Sequence, residues 1–456
     1  MIKTDCQQRS VASFLVAFVL LAGGCVKQPE ATGQPYAFVT VRDLGEFPQD
    51  LDYFAAKAGR SVLLLSPAGS TAQSERYRRL FFSAWSADSP GQGHADFFRA
   101  EINRSGPDLG YAENLQPWND IRWQGINANA DMARFPSLRQ NGITVRESSF
   151  RLAPTELPRF SNPGAPGQGY PFDMIQQSSL PVGFPLVIMH ISLDRAWYYA
   201  ESALASGWIA AKDTAIVDSD FMETWLGLPL AAIVQDNIAL CDESGLHLSQ
   251  AKIGCLLPYA WQDDLSVGLL APVRNSNGFA EIGRARVSKR EAEPFPLALT
   301  PGNMAALGNQ MMGQSYGWGG LYQDRDCSAM TRDLFTPFGL WLPRNSAAQA
   351  NAGEIVNLAD FGADKKERQI LSLGVPFLSL LWLRGHIGLY VGEHQGQAAF
   401  FHNIWGIRII DDGREARHIL GRAVVTSTRP GKELRGVEKE RLLLNRMEKL
   451  TILGRS

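Results

Sequence analysis

Residues 141–217 most narrow what this chain can fold into. Short alternating segments, ITVRESSFRL, PLVIMHIS, AWYYAES and GWIAA, are separated by the turn-rich SNPGAPGQGYP and by a DR pair. Alternation at a period of two gives each segment one apolar face. Segments this short cannot bury that face alone, so several of them in one stretch predict a small β-barrel.

Residues 218–293 repeat the texture with LAAIVQDNIAL, LSVGLLAPVR and GFAEIGRARV, predicting a second barrel. The proline-rich EAEPFPLALTPG then leads into a C-terminal domain at 294–456. Here TPGNMAALGNQMMGQ predicts a helix with Thr300 as N-cap, Pro301 at its first position, and Met304, Leu307 and Met311 on one face. CSAMTRDLF reads as the next helix, GHIGLYVG and AAFFHNIW as strands, and ELRGVEKERLLLNRMEKL as a closing amphipathic helix. Residues 36–140 mix helical signals, SERYRRLFFSAW and HADFFRAEI, with Gly and Pro-rich turns. They predict an irregular, partly helical N-terminal domain with no chemistry of its own. The expected fold class is multidomain α+β.

The first residues read as a targeting segment. A polar MIKTDCQQRS precedes the apolar VASFLVAFVLLAGG, which is short for a bilayer span and ends in small residues directly before Cys25. This resembles a bacterial lipoprotein signal with LAGGC as the lipobox. The resemblance implies a signal peptide at 1–24, cleavage before Cys25, lipidation of Cys25 and a linker at 25–35. Val26, not an aspartate, follows the cysteine. The expected location is therefore the cell envelope, lipid-anchored, at the outer membrane facing the periplasm of a Gram-negative host. The alternative is a plain secretory signal with a chance cysteine. Formal net charge is -2 and no long basic run occurs, which argues against a nucleic-acid partner.

Five cysteines frame the chemistry. Cys6 leaves with the signal and Cys25 is the anchor. Cys241 and Cys255 flank ESGLHLSQAKIG and are read either as a disulfide or as two small core residues. Cys327 is left over, at the first turn of a predicted helix, where unpaired N–H groups and the helix dipole favour a thiolate. Asp326 or Ser328 caps that end. Of the seven histidines, His386 stands out between glycine neighbours in RGHIGLYVG. Alternation puts His386, Gly388 and Tyr390 on one face of the strand. His402 falls on the next strand as a third group to orient the ring, and His394 falls in the connecting turn as solvated surface. Set against this dyad, a lone buried cysteine is ordinarily inert core and a strand histidine ordinarily structural.

The same residues resemble the NlpC/P60 family of cell-wall peptidases. YxWGG appears as Tyr316, Trp318, Gly319 and Gly320, and DCS as Asp326, Cys327 and Ser328. LPR with a serine and glutamine appears as Leu342, Pro343, Arg344, Ser346 and Gln349, and the histidine strand as His386, Gly388, Tyr390 and Gly392. The family often has PGDL before the histidine strand, whereas this chain has VPFLSLLWLRGH. DRAWYYAESALASGWIA is similar to bacterial SH3 domains, so the chain resembles the SH3-containing branch.

That resemblance implies a papain-like catalytic domain at 294–456, SH3-like barrels at 141–217 and 218–293, and a stabilising domain at 36–140. It implies a γ-D-glutamyl-L-diamino acid endopeptidase acting on peptidoglycan stem peptides, without metal or cofactor. Cys327, His386 and His402 would be catalytic. Stems with a free N-terminal L-Ala would be preferred, the amine being met by Asp326, Ser328 and Ser346, with Trp318 as an apolar wall. Tyr199, or its neighbour Tyr198, would reach in from the first barrel. Core packing is the plainer reading of Trp318 and of both tyrosines. Two competitors are a non-catalytic cell-wall-binding SH3 lipoprotein and an acyltransferase or amidase on the same scaffold.

Overall fold

The computed structural model describes residues 40–86 and 95–454. The signal segment 1–24, the lipidation site Cys25 and the linker 25–35 lie outside the described residues. The N-terminal region supplies helices α1 (Leu51–Ala58), α2 (Pro67–Phe81), α3 (Ala95–Ile102) and α4 (Asp120–Ala130). Their starts are set locally: the Ser66 side chain accepts from the Gly69 N–H ahead of Pro67, and Asn119 accepts from the Arg122 N–H. Their apolar faces are completed by other domains. Phe54, Tyr77 and Phe81 join a core shared with the first barrel and the C-terminal domain. Phe98, Ile102, Trp118 and Trp123 pack with Tyr199 and Trp208 of the first barrel.

The first barrel region holds β1 (Gln140–Thr144), β2 (Ser148–Arg151), β3 (Gln176–Leu180), β4 (Pro185–Ile191), β5 (Trp197–Glu201), β6 (Ser206–Ala210) and β7 (Thr214–Ile216), in the order β3-β2-β6-β5-β4-β1-β7. Helix α5 (Ser219–Gly227), capped by Asp218, brings Phe221 and Trp225 into the core between the barrels. The second region follows with β8 (Leu230–Ile233), β9 (Ile238–Cys241), β10 (His247–Ala251), β11 (Leu256–Gln262), β12 (Ser266–Arg274), β13 (Ala280–Ser288) and β14 (Ala292–Pro294). β9 and β10 pair by themselves, and the rest run β13-β12-β11-β8-β14. Both Cys241 and Cys255 are free thiols, and the buried Cys255 donates to the Val182 carbonyl at 3.2 Å.

The C-terminal domain contains α6 (Pro301–Met311), α7 (Cys327–Phe335) and α8 (Ala363–Leu373). Thr300 caps α6 by accepting from the Asn303 N–H, and Met304, Leu307 and Met311 are buried as their spacing predicts. The sheet comprises β15 (Gly353–Asn357), β16 (Ser379–Leu383), β17 (His386–His394), β18 (Gln397–Asp411), β19 (Arg414–Ser427) and β20 (Met447–Leu453), ordered β15-β20-β16-β17-β18-β19. Ile387, Leu389 and Val391 share a core with α7, whereas Tyr390 and Phe400 join Ile370 of α8 in a separate one.

The expected closing helix is not there. A 3-10 turn at Lys439–Arg441 and one α-helical turn at Leu443–Arg446 are all the helix in that stretch, and Met447–Leu453 is a strand paired on both sides, with β15 and β16. The apolar spacing in 433–450 admits a helix when that window is read alone. The next residues, Thr451-Ile452-Leu453, are buried in the sheet, and the ladder bonds available on both flanks decide the outcome.

Two joints fix α7 against the barrels. Gly319 and Gly320 have φ of 62° and 86°, and a Cβ on either would collide with Gln176 or Ser179 of β3. The paired glycines thus let β3 lie directly on the loop that leads to α7, where the Gln176 amide donates to the Gly319 carbonyl at 2.9 Å. On the other side, Arg325 spends all five donors inside the protein: Nε on Asp333, Nη1 on Asp236 and Gln314, and Nη2 on Asp236 and the Ile253 carbonyl, at 2.7–2.9 Å. Asp236 and Ile253 belong to the second barrel region, so the residue two before Cys327 is tied to it.

Candidate active site

Cys327 is the first residue of α7 and is only 7 % exposed. Asp326, rather than Ser328, caps the helix by accepting from the Ala329 N–H at 2.8 Å. The thiol lines a cavity of about 510 Å³ together with Tyr316, Trp318, Asp326, Ser328 and Ser346. Phe97 and Phe98 of α3, Gln176 of β3, Leu204 and Ala205 of the β5–β6 turn and Ser206 at the start of β6 line it as well. The N-terminal helix and the first barrel region thus contribute part of the cavity wall.

His386 opens β17, and one of its chain neighbours meets the cysteine. The Ile387 N–H is directed to the Cys327 sulfur, and Gly385 lines the same cavity. Gly388 completes the arrangement, because a Cβ there would stand 2.7 Å from the His402 Cβ on β18. Without a side chain at that point, the two histidines come together: His386 Nε2 lies 2.7 Å from His402 Nδ1.

Donor bookkeeping along this chain fixes the protons. The Thr426 hydroxyl donates to the Ser427 carbonyl at 2.7 Å, so its oxygen accepts from His402 Nε2 at 3.0 Å. Neutral His402 then has Nδ1 as its acceptor, and His386 donates to it through Nε2–H. His386 Nδ1 is left as the lone pair, the form a base needs. Thr426→Val removes the acceptor that sets this order. It is expected to lower kcat/KM roughly tenfold, the scale for losing an outer hydrogen-bond partner of a working histidine. Steady-state rates of the folded variant check this.

The electrostatics favour an uncharged resting pair. Burial pushes the Cys327 thiol up to about 12, helped by the charge of Asp326 and opposed by the Ile387 N–H, Arg344 and the Ser328 N–H. Burial likewise takes His386 down to about 4, with the positive charge of Arg446 acting in the same direction. His402 is held well below the usual histidine range by burial and then by His386. Burial raises Tyr316 well above the usual tyrosine range, so its hydroxyl stays a donor beside the thiol.

Asp326 lines the cavity and caps α7 as expected, and its charge also has partners within the protein. Its oxygens accept from Gly319 N–H, Ser328 Oγ, Ala329 N–H and Arg344, the last at 2.7 Å. Burial works against its charge, and Arg344 together with the Ala329 N–H and the Ser328 hydroxyl holds the carboxyl below the usual range. Its charge is thus already matched within the protein, and Arg344 in turn donates to Ser178 of the barrel at 2.7 Å. The buried Gln349 amide donates to the Ser328 and Pro343 carbonyls, which accounts for its place in the pattern. Trp318 both lines the cavity and docks the barrel: its indole donates to the Asp173 carbonyl at 3.1 Å and meets Phe172 edge-on.

Tyr199 is a correction. It is fully buried between Phe98, Phe135 and Trp208, and neither it nor Tyr198 lines the cavity. Strand alternation sends Tyr199 into the core beneath the N-terminal helices, and the barrel reaches the cavity through Gln176 and Leu204–Ser206 instead. His394 is likewise not free surface, since its Nδ1 lies 2.9 Å from the Tyr53 hydroxyl. Thr426, Phe97 and Gln176 were not foreseen, because nothing in their local sequence marks them.

Comparison with known proteins covers most of the chain. Residues 14–135 match the model of the NLPC_P60 stabilising domain, and 158–210 that of an SH3 domain of SH3b1 type. Residues 218–264 match an SH3 domain of SH3b2 type, and 313–409 the NlpC/P60 family. Among solved structures, the chain is similar to an NlpC/P60 endopeptidase from Photobacterium damselae subsp. piscicida. The identity is 24%, the TM-score 0.80, and the match covers 90% of this chain and 98% of that one. An NlpC/P60 family protein from Bacillus cereus ATCC 10987 aligns at 15% identity and TM-score 0.45, covering 68% of this chain and 99% of that one. No curated protein matches.

Proposed function

From the premise that the chain belongs to the NlpC/P60 family, a cysteine-peptidase family, with its stabilising domain and two SH3 domains ahead of the NlpC/P60 domain, we propose that it is a γ-D-glutamyl-L-diamino acid endopeptidase of peptidoglycan stem peptides. The observation that carries this reading is the ordered chain Thr426–His402–His386, which leaves a basic nitrogen on the residue next to Ile387, whose N–H is directed to the Cys327 sulfur.

Cys327 Sγ attacks the γ-carbonyl carbon of D-Glu while its proton passes to His386 Nδ1. The carbon–nitrogen bond breaks, and that proton goes to the departing α-amine of the diamino acid. Water then attacks the thioester, giving one proton to Nδ1. The acyl half leaves with a free γ-carboxyl, and Nδ1 returns the proton to the thiol. The protonated Tyr316 hydroxyl and the Cys327 N–H, at the unpaired start of α7, are the candidate donors to the oxyanion.

A preference for a free N-terminal L-Ala is part of the proposal. What supports it is the wall that α3 and the first barrel add to the cavity, where Phe97, Phe98 and Leu204 line it together with Trp318 and the polar Gln176, Ser206 and Ser346 are available to an amine. N-acetylation of L-Ala-γ-D-Glu-diaminopimelate is expected to lower kcat/KM at least tenfold. Equal rates on the two peptides would dispose of the free-amine preference and leave the bond assignment standing. Lipid anchoring through Cys25, at an outer membrane facing the periplasm, belongs to the same proposal and is supported by the LAGGC sequence.

A further inference from the structure

A basic flank adjoins His386 outside the cavity. Arg384, two residues before it, is exposed, and its carbonyl accepts from Arg446 Nη2 at 3.3 Å. Arg446 is exposed at the end of the helical turn before β20 and sits among further guanidinium groups. Arg408 pairs with Glu415 at 2.7 Å and Glu438 at 3.0 Å, Arg417 with Glu415 at 2.7 Å, and Arg441 with Glu438 at 3.6 Å. Glu448 is the remaining carboxylate acting on Arg446. The guanidinium groups outnumber the carboxylates, and the Arg446 guanidinium makes no ion pair among those found in the described residues.

The chemistry says which half of a substrate meets this flank. The imidazole that takes the thiol proton must hand it to the leaving amine, so the diamino acid departs past His386. The acyl half occupies the cavity on the Cys327 side. The side chain of the leaving residue therefore extends toward Gly385, Arg384 and Arg446. Two diamino acids suit the reaction and differ there: lysine ends in an ammonium alone, whereas diaminopimelate carries a carboxylate beside its amine.

Resting on the endopeptidase reading above, we infer that Arg446, supported by Arg384 and the surrounding arginines, selects a leaving residue bearing a side-chain carboxylate, so that stems with diaminopimelate are cut in preference to stems with lysine. The guanidinium binds the carboxylate through charge-assisted hydrogen bonds and repels the lone ammonium. Arg446 is a specificity residue and takes no part in bond breaking.

The experiment compares kcat/KM on L-Ala-γ-D-Glu-meso-diaminopimelate and L-Ala-γ-D-Glu-L-Lys for wild type, Arg446→Gln and Arg446→Glu. Wild type should favour the diaminopimelate peptide by about tenfold or more, the scale of one hydrogen bond to a charged group. Arg446→Gln should lose most of that ratio, chiefly on the diaminopimelate peptide, and Arg446→Glu should push it toward lysine. Any effect of the Arg446 charge on His386 is common to both peptides and cancels in the ratio. Equal wild-type rates, or equal losses on both peptides in the variants, overturn the inference. No cleavage of either peptide by wild type overturns the endopeptidase reading instead. Should neither variant fold, a wild-type salt series decides: the ratio should fall as salt screens the exposed pair, and a salt-independent ratio contradicts the inference.

Discussion

His386→Ala is expected to cut kcat/KM on a γ-glutamyl stem peptide by about 10²–10⁴-fold, the range for removing a positioned general base. The loss is large because the protein does not store a thiolate. The start of α7 and the Ile387 N–H favour one, but burial and the neighbouring Asp326 charge win, and Cys327 rests as a thiol pushed up to about 12. The nucleophile is made only as the proton leaves, and His386 Nδ1 is where it goes. The pH dependence follows in sign. The base works only when neutral, and burial has moved its protonation down to about 4. Wild-type kcat/KM should therefore hold as pH falls through 6.5, and fail only on approach to the lower value. An acid limb centred at 6.5 or above would show that the ring is not the buried neutral base described.

Arg325→Met should destabilise the folded protein by about 3–5 kcal/mol, the scale for leaving a buried ion-pair partner uncompensated. Burial works against the charges of Asp236 and Asp333; Arg325 with Gln314 and the Ile253 N–H offsets it for Asp236, and Arg332, Arg325 and Lys252 offset it for Asp333. Removing the guanidinium leaves Asp236 without its ion-pair partner and Asp333 with Arg332 alone, in the joint between the second barrel region and α7. Denaturant unfolding followed by tryptophan fluorescence measures the loss. A variant as stable as wild type would mean that the joint is held by its apolar contacts alone.

Much of the site was legible because its pattern is local and demanding. Thr300 and Asp326 cap their helices from the positions their sequences mark, and the two glycines after Trp318 are needed for backbone conformation and for the approach of β3. His402 could be placed because it falls on the strand that follows the His386 strand after a short hairpin, and it stands beside Gly388. What escaped depends on tertiary placement. Thr426 becomes the anchor of the histidine chain only because β19 pairs with β18. Tyr199 was drawn toward the cavity by its motif, yet the face it occupies is decided by helices far upstream that need a surface to cover. The last strand was hidden by a helix-compatible window whose fate rests on two flanking strands.

The most direct test is to identify by mass spectrometry the fragments formed from L-Ala-γ-D-Glu-diaminopimelate by the purified protein, with Cys327→Ala run in parallel. The account predicts L-Ala-D-Glu and free diaminopimelate from wild type and intact peptide from the variant. An uncut peptide with wild type, a different pair of fragments, or the same fragments from Cys327→Ala would contradict it.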